Sequence, residues 1–356
     1  MPTATRTPLA QLEPRRVCLI KPSALGDVVQ TLPILAALRE RWPSAHIAWV
    51  VHRGLMDVLA DHPDLDEVIP FERGGSWAGR TGGALHLAQR LRQGGFDLAI
   101  DFQGLLRTGV MARLTGAARR VGFAGAREGA PLAYTDRVAV PPETQAAVER
   151  YWALAVALGC RGRPGSGRVG LGDAHRAWAA EQLAELPRPI VAIHPGAQWT
   201  TKRWPPMHFA AVAKRAQRET GAGIVLVGGP GDGILAEAIA ECLDGPCVNL
   251  AERTSLRQLA AVSAAADVFV SGDTGPMHLA AAMQTPVVAV FTCTSPRRAG
   301  PHGSGHRVVS AAVACAASYR RKCHSMICMD ELSPDRLWPA LAATLADVAR
   351  RQRLAG

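Results

Sequence analysis

The fold is decided by a stretch that reads VFVSGDTGPMH and occupies residues 268–278. Its first residues form a short, continuous apolar run, and a helix is predicted to begin near Pro276. Proline is favoured in the first turn of a helix, where its missing N–H is not needed. A buried strand that leads through a tight turn into a helix is typical of a parallel sheet covered by helices on both faces. This stretch therefore predicts an α/β protein.

The same alternation of short apolar runs and longer helical patterns continues through most of the chain. Strands are predicted at 16–20, 46–51, 67–71, 96–101, 190–193, 224–227, 267–270 and 286–291. Helices are predicted at 27–42, 84–93, 174–186 and 334–351. Because the Gly- and Arg-rich stretch 161–172 reads as a linker, we predict two Rossmann-like parallel-sheet domains, 1–172 and 173–333, that face a cleft. A C-terminal helix, 334–356, is predicted to pack back across that cleft.

Composition narrows the class of protein and its partners. The 356 residues are 48% hydrophobic and 20% charged, which excludes a disordered or fibrous chain. The formal net charge of +10 favours anionic partners: phosphates, an acidic membrane surface or nucleic acid. Nucleic acid ranks last, since no aromatic residues are interleaved with the basic ones. Residues 1–16 lack the apolar core of a secretory signal, and no apolar run is long enough to span a membrane, so we expect a cytoplasmic protein.

The first candidate site follows the first predicted strand, at residues 21–29. Gly26 allows a tight strand-to-helix turn whose backbone amides favour an anion. Asp27 lies at the predicted helix start, where it either caps the helix, a contribution of about 1 kcal/mol, or points into the cleft. The turn lacks the G-x-G-x-x-G pattern, which argues against a nicotinamide dinucleotide.

The second candidate site is the turn that follows the strand predicted at 267–270. The amides of Thr274 and Gly275 can bind a diphosphate at the helix start, and Asp273 can bind sugar or ribose hydroxyls. His278 lies about one turn into the helix and is either a hydrogen-bonded core histidine or part of the site. The neighbouring Asp, Thr and Gly at a strand end favour the second interpretation.

Two further turns follow predicted strands of the second half. His194-Pro195-Gly196-Ala197 leads into a loop that carries Lys202, either a solvated surface lysine or a point charge for a diphosphate. Asp232, in the glycine-rich turn 227–232, either binds ribose hydroxyls or caps the next helix. Because carboxyl ends of parallel strands share one edge of a sheet, these turns together predict a nucleotide-linked ligand.

The chain resembles glycosyltransferase family 9, the ADP-heptose lipopolysaccharide heptosyltransferases. The resemblance begins near residue 15 and runs in family order to the end. It is carried by the segments 23–28 with Pro33, 101–104, 120–123 with 127–128, 194–197, 202–205, and 272–275 with His278. It implies a GT-B fold, with the acceptor in the N-terminal domain and the sugar nucleotide in the C-terminal domain, and an inverting transfer.

The resemblance also implies roles for individual residues. Asp27 matches the catalytic base of the family. Contacts to the ADP-sugar are implied for Gly196, Ala197, Lys202, Asp232, Thr254, Asp273, Thr274, Gly275 and His278. Contacts to the lipopolysaccharide core acceptor are expected from Ser23, Gly26, Gln103, Arg107, Arg120 and Arg127, of which the arginines suit a phosphorylated or carboxylated glycolipid.

Three further expectations complete the interpretation. No Asp-x-Asp pair lies near the site motifs, so we expect no essential metal ion and no other cofactor. Cys315, Cys323 and Cys328, with His324, have a spacing uncommon for zinc, and we expect thiols there. Two alternative functions remain: a related GT-B enzyme that uses another nucleotide sugar, and a non-catalytic protein that binds a sugar nucleotide. The basic charge also predicts a peripheral position on the inner membrane.

Overall fold

The computed structural model describes residues 6–72, 77–140 and 146–355. The chain divides into two compact units, Met1–Gly170 and Leu171–Gly356. The division falls two residues before the predicted domain boundary, inside the stretch interpreted as a linker. Each unit contains one parallel sheet and its helices.

The first unit has a six-stranded sheet in the order β3-β2-β1-β4-β5-β6. All its neighbouring strands are parallel. In chain order its elements are β1 (Arg16–Ile20), α1 (Leu25–Arg41), β2 (His46–His52), β3 (Glu67–Phe71), α2 (Trp77–Gln93), β4 (Leu98–Asp101), α3 (Leu106–Leu114), β5 (Arg119–Phe123), β6 (Asp136–Val138) and α4 (Ala147–Ala157).

The second unit repeats this architecture, with the order β12-β11-β10-β7-β8-β9. Its neighbouring strands are also all parallel. The elements are α5 (Asp173–Leu183), β7 (Ile190–His194), α6 (Pro206–Thr220), β8 (Gly223–Leu226), α7 (Gly233–Ala240), β9 (Cys247–Asn249), α8 (Leu256–Ala265), β10 (Val268–Gly272), α9 (Gly275–Ala282), β11 (Val287–Phe291), α10 (Pro296–Ala299), β12 (Arg307–Ser310), α11 (Ile327–Glu331) and α12 (Pro334–Ala355).

The central strands are buried on both faces, as continuous apolar runs require. Residues 17–20 of β1 have no exposed surface, and every residue of β7, β10 and β11 is buried. Helices on both sides exclude water from these strands, so the polar residues that serve a site lie in the loops after the strands. The prediction of two parallel-sheet units is confirmed.

The C-terminal helix α12 packs within the second unit. Leu337, Leu341 and Leu345 belong to the hydrophobic core beside β10 and β11, and Arg307 of β12 contacts Asp347 of α12 at 2.8 Å. Its predicted position across a cleft stays a prediction. None of the described helices combines the length and apolar character that crossing a membrane requires.

The linker is fastened to the first unit by a buried histidine. His62 is 4% exposed, and its Nε2–H donates to the carbonyl of Arg168 at 2.9 Å, while its Nδ1 accepts the N–H of Asp64 at 3.2 Å. Burial lowers the pKa of His62, and the Arg168 carbonyl only partly opposes that shift. The ring is therefore held neutral in the folded protein.

Acidification is expected to weaken the folded protein through His62. Above a pH of about 6.5 this histidine is neutral in both states; below it the unfolded chain binds a proton that the folded chain resists. The free energy of unfolding in urea should therefore fall between about pH 7.5 and about pH 5. In His62→Gln, whose amide can make both hydrogen bonds, the free energy of unfolding should fall less over this pH range. The control is His324→Gln, at an exposed histidine, and its free energy of unfolding should fall as much as that of the parent protein. Equal falls would contradict a neutral His62.

Candidate active site

Asp27 lies in the first turn of α1, directly after the carboxyl end of β1. Its Oδ2 accepts the backbone N–H of Ala24 at 3.3 Å, which closes the turn. Its side chain is 37% exposed, so the carboxylate is held in place and is accessible to a substrate. Ser23 is half-buried and Gly26 is buried in the same turn. Asp27 therefore both caps the start of the helix and presents its carboxylate to solvent.

Two buried side chains fix the Asp27 carboxylate from behind. The hydroxyl of Tyr151, in α4, donates to Asp27 Oδ1 at 2.6 Å, and the ammonium of Lys21 lies 3.7 Å from Oδ2. Lys21 Nζ also lies 4.7 Å from the centre of the Tyr151 ring. Burial lowers the pKa of Lys21, while the carboxylates of Asp27 and Asp101 oppose the shift. The Lys21 ammonium and the Tyr151 hydroxyl therefore orient a carboxylate that a substrate can reach.

Asp101, at the end of β4, is a structural residue of this edge. It has no exposed surface, and its Oδ2 accepts the hydroxyl of Tyr134 at 2.7 Å. Its Oδ1 accepts the N–H groups of Gln103 and Gly104 at 2.8 and 3.1 Å. Burial raises the pKa of Asp101, and these hydrogen bonds, that of Tyr134 foremost, counteract it. The resulting turn positions the loop before α3.

Removing the Tyr134 hydroxyl should destabilise the protein. In Tyr134→Phe one oxygen of the buried Asp101 loses its hydrogen-bond donor, so the free energy of unfolding should fall by about 1–3 kcal/mol. Urea unfolding measures this change. Tyr319→Phe is the control, because among the described residues the Tyr319 hydroxyl accepts a long hydrogen bond from an exposed N–H, that of Ser295 at 3.4 Å. A Tyr134→Phe protein as stable as the control would show that Asp101 does not depend on this bond.

The proposed acceptor residues do not all lie together. Gln103, Arg107 and Arg127 follow the carboxyl ends of β4 and β5, at the same edge as Asp27. Arg120 lies inside β5, and its guanidinium donates to the carbonyls of Ala117 and Ala133, each at 2.7 Å. These bonds hold the ends of two loops. The acceptor role of Arg120 stays a prediction, and part of its guanidinium is already bonded to backbone carbonyls of its own unit.

In the second unit, an ammonium and a carboxylate meet at the end of β10. Lys202 Nζ lies 2.6 Å from Asp273 Oδ2, and Asp273 is 7% exposed. The indole of Trp199 lies beside them, with Lys202 Nζ 4.6 Å from its ring centre and the Arg321 guanidinium 4.7 Å from it. Two cations therefore share one aromatic ring next to the carboxylate, a setting that suits a diphosphate.

The loop that carries Lys202 is fixed by bonds on both of its sides. The Thr201 carbonyl accepts the Thr292 hydroxyl at 2.6 Å, and the Thr201 hydroxyl donates to the Arg320 carbonyl at 2.7 Å. Trp204 is 1% exposed and donates its indole N–H to the Leu332 carbonyl at 2.7 Å. Lys202 is thus a positioned cation rather than a solvated surface lysine.

Helix α9 begins at this point. Thr274 is its N-cap residue, and Gly275 and Pro276 form its first turn. The Thr274 hydroxyl is buried and has no hydrogen-bond partner within the described ranges. His278 is 6% exposed and lies among the buried residues of the helix. The helix start therefore directs backbone N–H groups to the same edge as Lys202, where an anion is favoured.

The turns after β7 and β8 interlock through Asp232. The His194 ring lies 3.4 Å from the Asp232 carboxylate, which also accepts the N–H of Gly229 at 2.9 Å. Burial disfavours the charge of Asp232, but the hydrogen bond and charge of His194, the Gly229 N–H and the charge of Arg203 together outweigh it, so the pKa lies below its ordinary value. The carboxylate lies against the Gly196 backbone, where the Cβ of any other residue would overlap it. Asp232 is thus a charged residue already bonded to its neighbours.

The remaining predicted residues lie along the same edge. The Ala197 carbonyl accepts a guanidinium N–H of Arg203 at 2.9 Å, and Thr254 follows β9 at the far end. Sequence reasoning missed Glu252, whose Oε1 accepts the N–H groups of Gly231 and Gly233 at 2.6 and 3.1 Å. It therefore caps α7, the role that the sequence offered as an alternative for Asp232.

The cysteine-rich segment forms no metal centre in the described part of the chain, where no group of three or more metal-ligating side chains is arranged to hold an ion. All eight cysteines are free thiols. Hydrogen bonds, first that from the Met326 backbone, lower the pKa of Cys323, whereas burial raises that of Cys328.

Known proteins resemble this chain in sequence and in fold. The model of glycosyltransferase family 9 (heptosyltransferase) matches residues 84–327. Lipopolysaccharide heptosyltransferase 1 of Pseudomonas aeruginosa is 31% identical over 93% of this chain and 98% of its own. The chain belongs to glycosyltransferase family 9. It is therefore related to enzymes that transfer sugars, and the resemblance drawn from its motifs is confirmed.

Solved structures of this family have the same architecture. Escherichia coli ADP-heptose lipopolysaccharide heptosyltransferase II has a TM-score of 0.78 and 26% identity, over 93% of this chain and 99% of its own. Escherichia coli heptosyltransferase WaaC with ADP has a TM-score of 0.74 and 25% identity, over 92% of this chain and 99% of its own. These likenesses confirm the predicted GT-B fold class.

Within this family member, the structure adds residues that the motifs did not assign. Lys21 lies within residues 21–29, the first candidate site, but only the structure shows that its ammonium lies 3.7 Å from the Asp27 carboxylate. Tyr151 is 124 residues from Asp27 along the chain, and no local pattern links them. Trp199 lies in a predicted loop, where its stacking against Lys202 has no sequence signature.

Proposed function

We propose that this protein is an inverting heptosyltransferase that moves heptose from ADP-heptose to the Kdo and heptose inner core of lipopolysaccharide. The observation that carries the proposal is the edge of the second unit, where Lys202 and Asp273 meet at 2.6 Å beside the start of α9. An ammonium and helix amides suit the diphosphate, and a carboxylate beside them suits sugar hydroxyls.

In this mechanism Asp27 is the base. Its carboxylate takes the proton of the acceptor hydroxyl as that oxygen bonds to the anomeric carbon from the face opposite ADP. The bond between the anomeric carbon and the diphosphate oxygen breaks, and the electron pair leaves with ADP. Lys202 and the amides of Thr274 and Gly275 stabilise the growing negative charge. The proposal requires that Asp27 and Lys202 act on the same pair of bound substrates.

The acceptor side uses Gln103, Arg107 and Arg127, which lie at the Asp27 edge. The guanidinium groups of Arg107 and Arg127 suit the phosphates and carboxylates of the core. The chemistry assigns charge stabilisation to side chains and amides, so we propose that no metal ion or other cofactor is essential. We place the protein in the cytoplasm, bound peripherally to the anionic inner leaflet where the acceptor resides, and we propose no nucleic-acid partner.

A turnover assay tests the proposal. ADP-heptose and a deacylated core acceptor should yield heptosylated acceptor and ADP, with equal rates in the presence and absence of a chelator. No turnover with an intact, ADP-binding protein would favour the non-catalytic alternative, and loss of turnover with chelator would contradict metal independence.

Calorimetry distinguishes the nucleotide. ADP should bind more tightly than UDP, and ADP-heptose should be the best substrate in a panel of nucleotide sugars. Tighter binding of UDP would instead support a related GT-B enzyme, such as an epimerase or a hexosaminyl transferase.

A further inference from the structure

One face of the first unit exposes apolar side chains that are framed by arginines. We call it the α3 face and define it by six residues: Leu106, Arg107, Val110, Arg127, Leu132 and Arg137. Its three apolar side chains are 55%, 47% and 80% exposed, in the order of the chain. Leu106 and Val110 lie one turn apart on α3, where an exposed helix face usually carries polar residues.

The members of this face lie on adjoining segments. Helix α3 packs against the 3-10 helix Ala130–Ala133, closely enough that a Cβ at Gly109 would lie 3.2 Å from the Cα of Ala130. Leu132 projects from that 3-10 helix. The Arg127 N–H donates to the Gly104 carbonyl at 3.0 Å, which places Arg127 beside the start of α3. The six residues therefore form one continuous surface.

The charges of this face are unbalanced. Arg107, Arg127 and Arg137 are exposed, and within the described ranges none of them forms an ion pair. Arg137 Nε–H donates to the Pro131 carbonyl at 3.0 Å, beside Leu132. The acid of this surface is Glu128, whose Oε2 lies 3.3 Å from the Leu106 N–H at the start of α3. Apolar tips ringed by arginines match the boundary between anionic headgroups and acyl chains.

We infer that the α3 face docks on an anionic phospholipid bilayer. This inference rests on the proposed function, because it explains how a lipid-anchored acceptor reaches the base. Helix α3 begins after β4, whose Asp101 pairs in register with Ile20 of β1, and Lys21 Nζ lies 3.5 Å from the Phe102 carbonyl. The start of α3, with Leu106 and Arg107, therefore lies at the same edge of the sheet as Asp27, and the face extends from there along α3 to Leu132 and Arg137. Docking of this face would bring the edge that carries Asp27 toward the membrane surface, where the core sugars of the acceptor lie while its acyl chains stay in the bilayer.

Vesicle binding without any acceptor tests the inference. The full-length protein should sediment with vesicles of phosphatidylethanolamine and phosphatidylglycerol, should bind phosphatidylcholine vesicles far less, and should be released by salt. Leu132→Ser with Arg137→Gln should weaken binding to the anionic vesicles by about tenfold or more, since one apolar anchor and one cation are lost. A matched variant at the tip of α12, Leu354→Ser with Arg353→Gln, should bind as the parent does; Leu354 is 84% exposed.

The outcomes separate docking from catalysis. The Leu132/Arg137 variant should retain its kcat/KM on the deacylated, soluble acceptor and lose activity on vesicle-embedded acceptor. Unchanged vesicle binding in this variant, or loss of binding only in the α12 variant, would overturn the α3 face as the docking site. A changed oligomeric state on gel filtration would assign the face to a second copy of the chain instead. Failure of the parent protein to turn over soluble acceptor would refute the proposed function. Vesicle binding needs no acceptor, so it tests the docking face whether or not the protein has transferase activity.

Discussion

Asp27→Asn loses transfer activity and keeps its affinity for ADP. The amide is nearly isosteric with the carboxylate, and its single oxygen can still accept the Tyr151 hydroxyl, which binds the carboxylate at 2.6 Å, although the bond from the Ala24 N–H to the other oxygen is lost. It cannot take a proton from the acceptor hydroxyl. General-base catalysis contributes about 10²–10⁴-fold, so kcat should fall by that factor. Steady-state kinetics with soluble acceptor and calorimetry with ADP measure the two quantities.

The matched control is Asp173→Asn. Asp173 lies in the first turn of α5, as Asp27 lies in that of α1. Both changes remove a favourable carboxylate from a helix start, a loss of about 0.3–1 kcal/mol in stability. Only the Asp27 variant should lose activity. If both variants keep full kcat, Asp27 is a capping residue and the base lies elsewhere; if both lose it, the effect is structural.

Lys202→Ala weakens binding of the sugar nucleotide more than it slows the chemical step. Charge-assisted hydrogen bonds contribute about 1.5–3 kcal/mol, which corresponds to a rise of about 10- to 100-fold in the KM for the donor. The loss should appear for ADP and be small for adenosine, which lacks the diphosphate. Removing the ammonium also leaves Asp273, which is 7% exposed, without its counter-charge, so ADP repulsion adds to the effect.

Lys214→Ala is the control for overall charge. Lys214 lies in α6 of the same unit and pairs with the exposed Asp244 at 3.5 Å. Its loss should leave the KM for the donor unchanged. A Lys202→Ala protein with an unaltered KM, or one that loses ADP and adenosine equally, would contradict the diphosphate role.

The sequence predicts the central strands well because their physical signal is local. β1, β7, β10 and β11 are buried on both faces, so each appears as an uninterrupted apolar run. The edge strand β3 was predicted, but the other three edge strands, β6, β9 and β12, carry no such run. β6 and β9 have three residues each, and β12 is half-exposed. Their pairing depends on the neighbouring strand, so the sequence did not reveal them.

The site shows the same division between local and distant causes. Asp27 and Thr274 were found because each lies in a strand-to-helix turn that is legible in a few residues. The partners that orient the side chains come from remote parts of the chain. Trp204 bonds to Leu332, 128 residues away, and no short pattern records that contact. Arg120 shows the same limit: its charge is visible in the sequence, but the two carbonyls that bind its guanidinium are not.

The hydrogen bond from Tyr151 to Asp27 also determines when the Asp27 carboxylate can become ordered during synthesis. The two residues are separated by 124 positions, and α4 ends at Ala157. A nascent chain that stops before α4 can form the turn around Asp27, but its carboxylate then lacks the hydrogen bond from Tyr151. Ribosome-tethered intermediates of increasing length should therefore order the Asp27 carboxylate late, only once α4, the last described helix of the first unit, has emerged and docked.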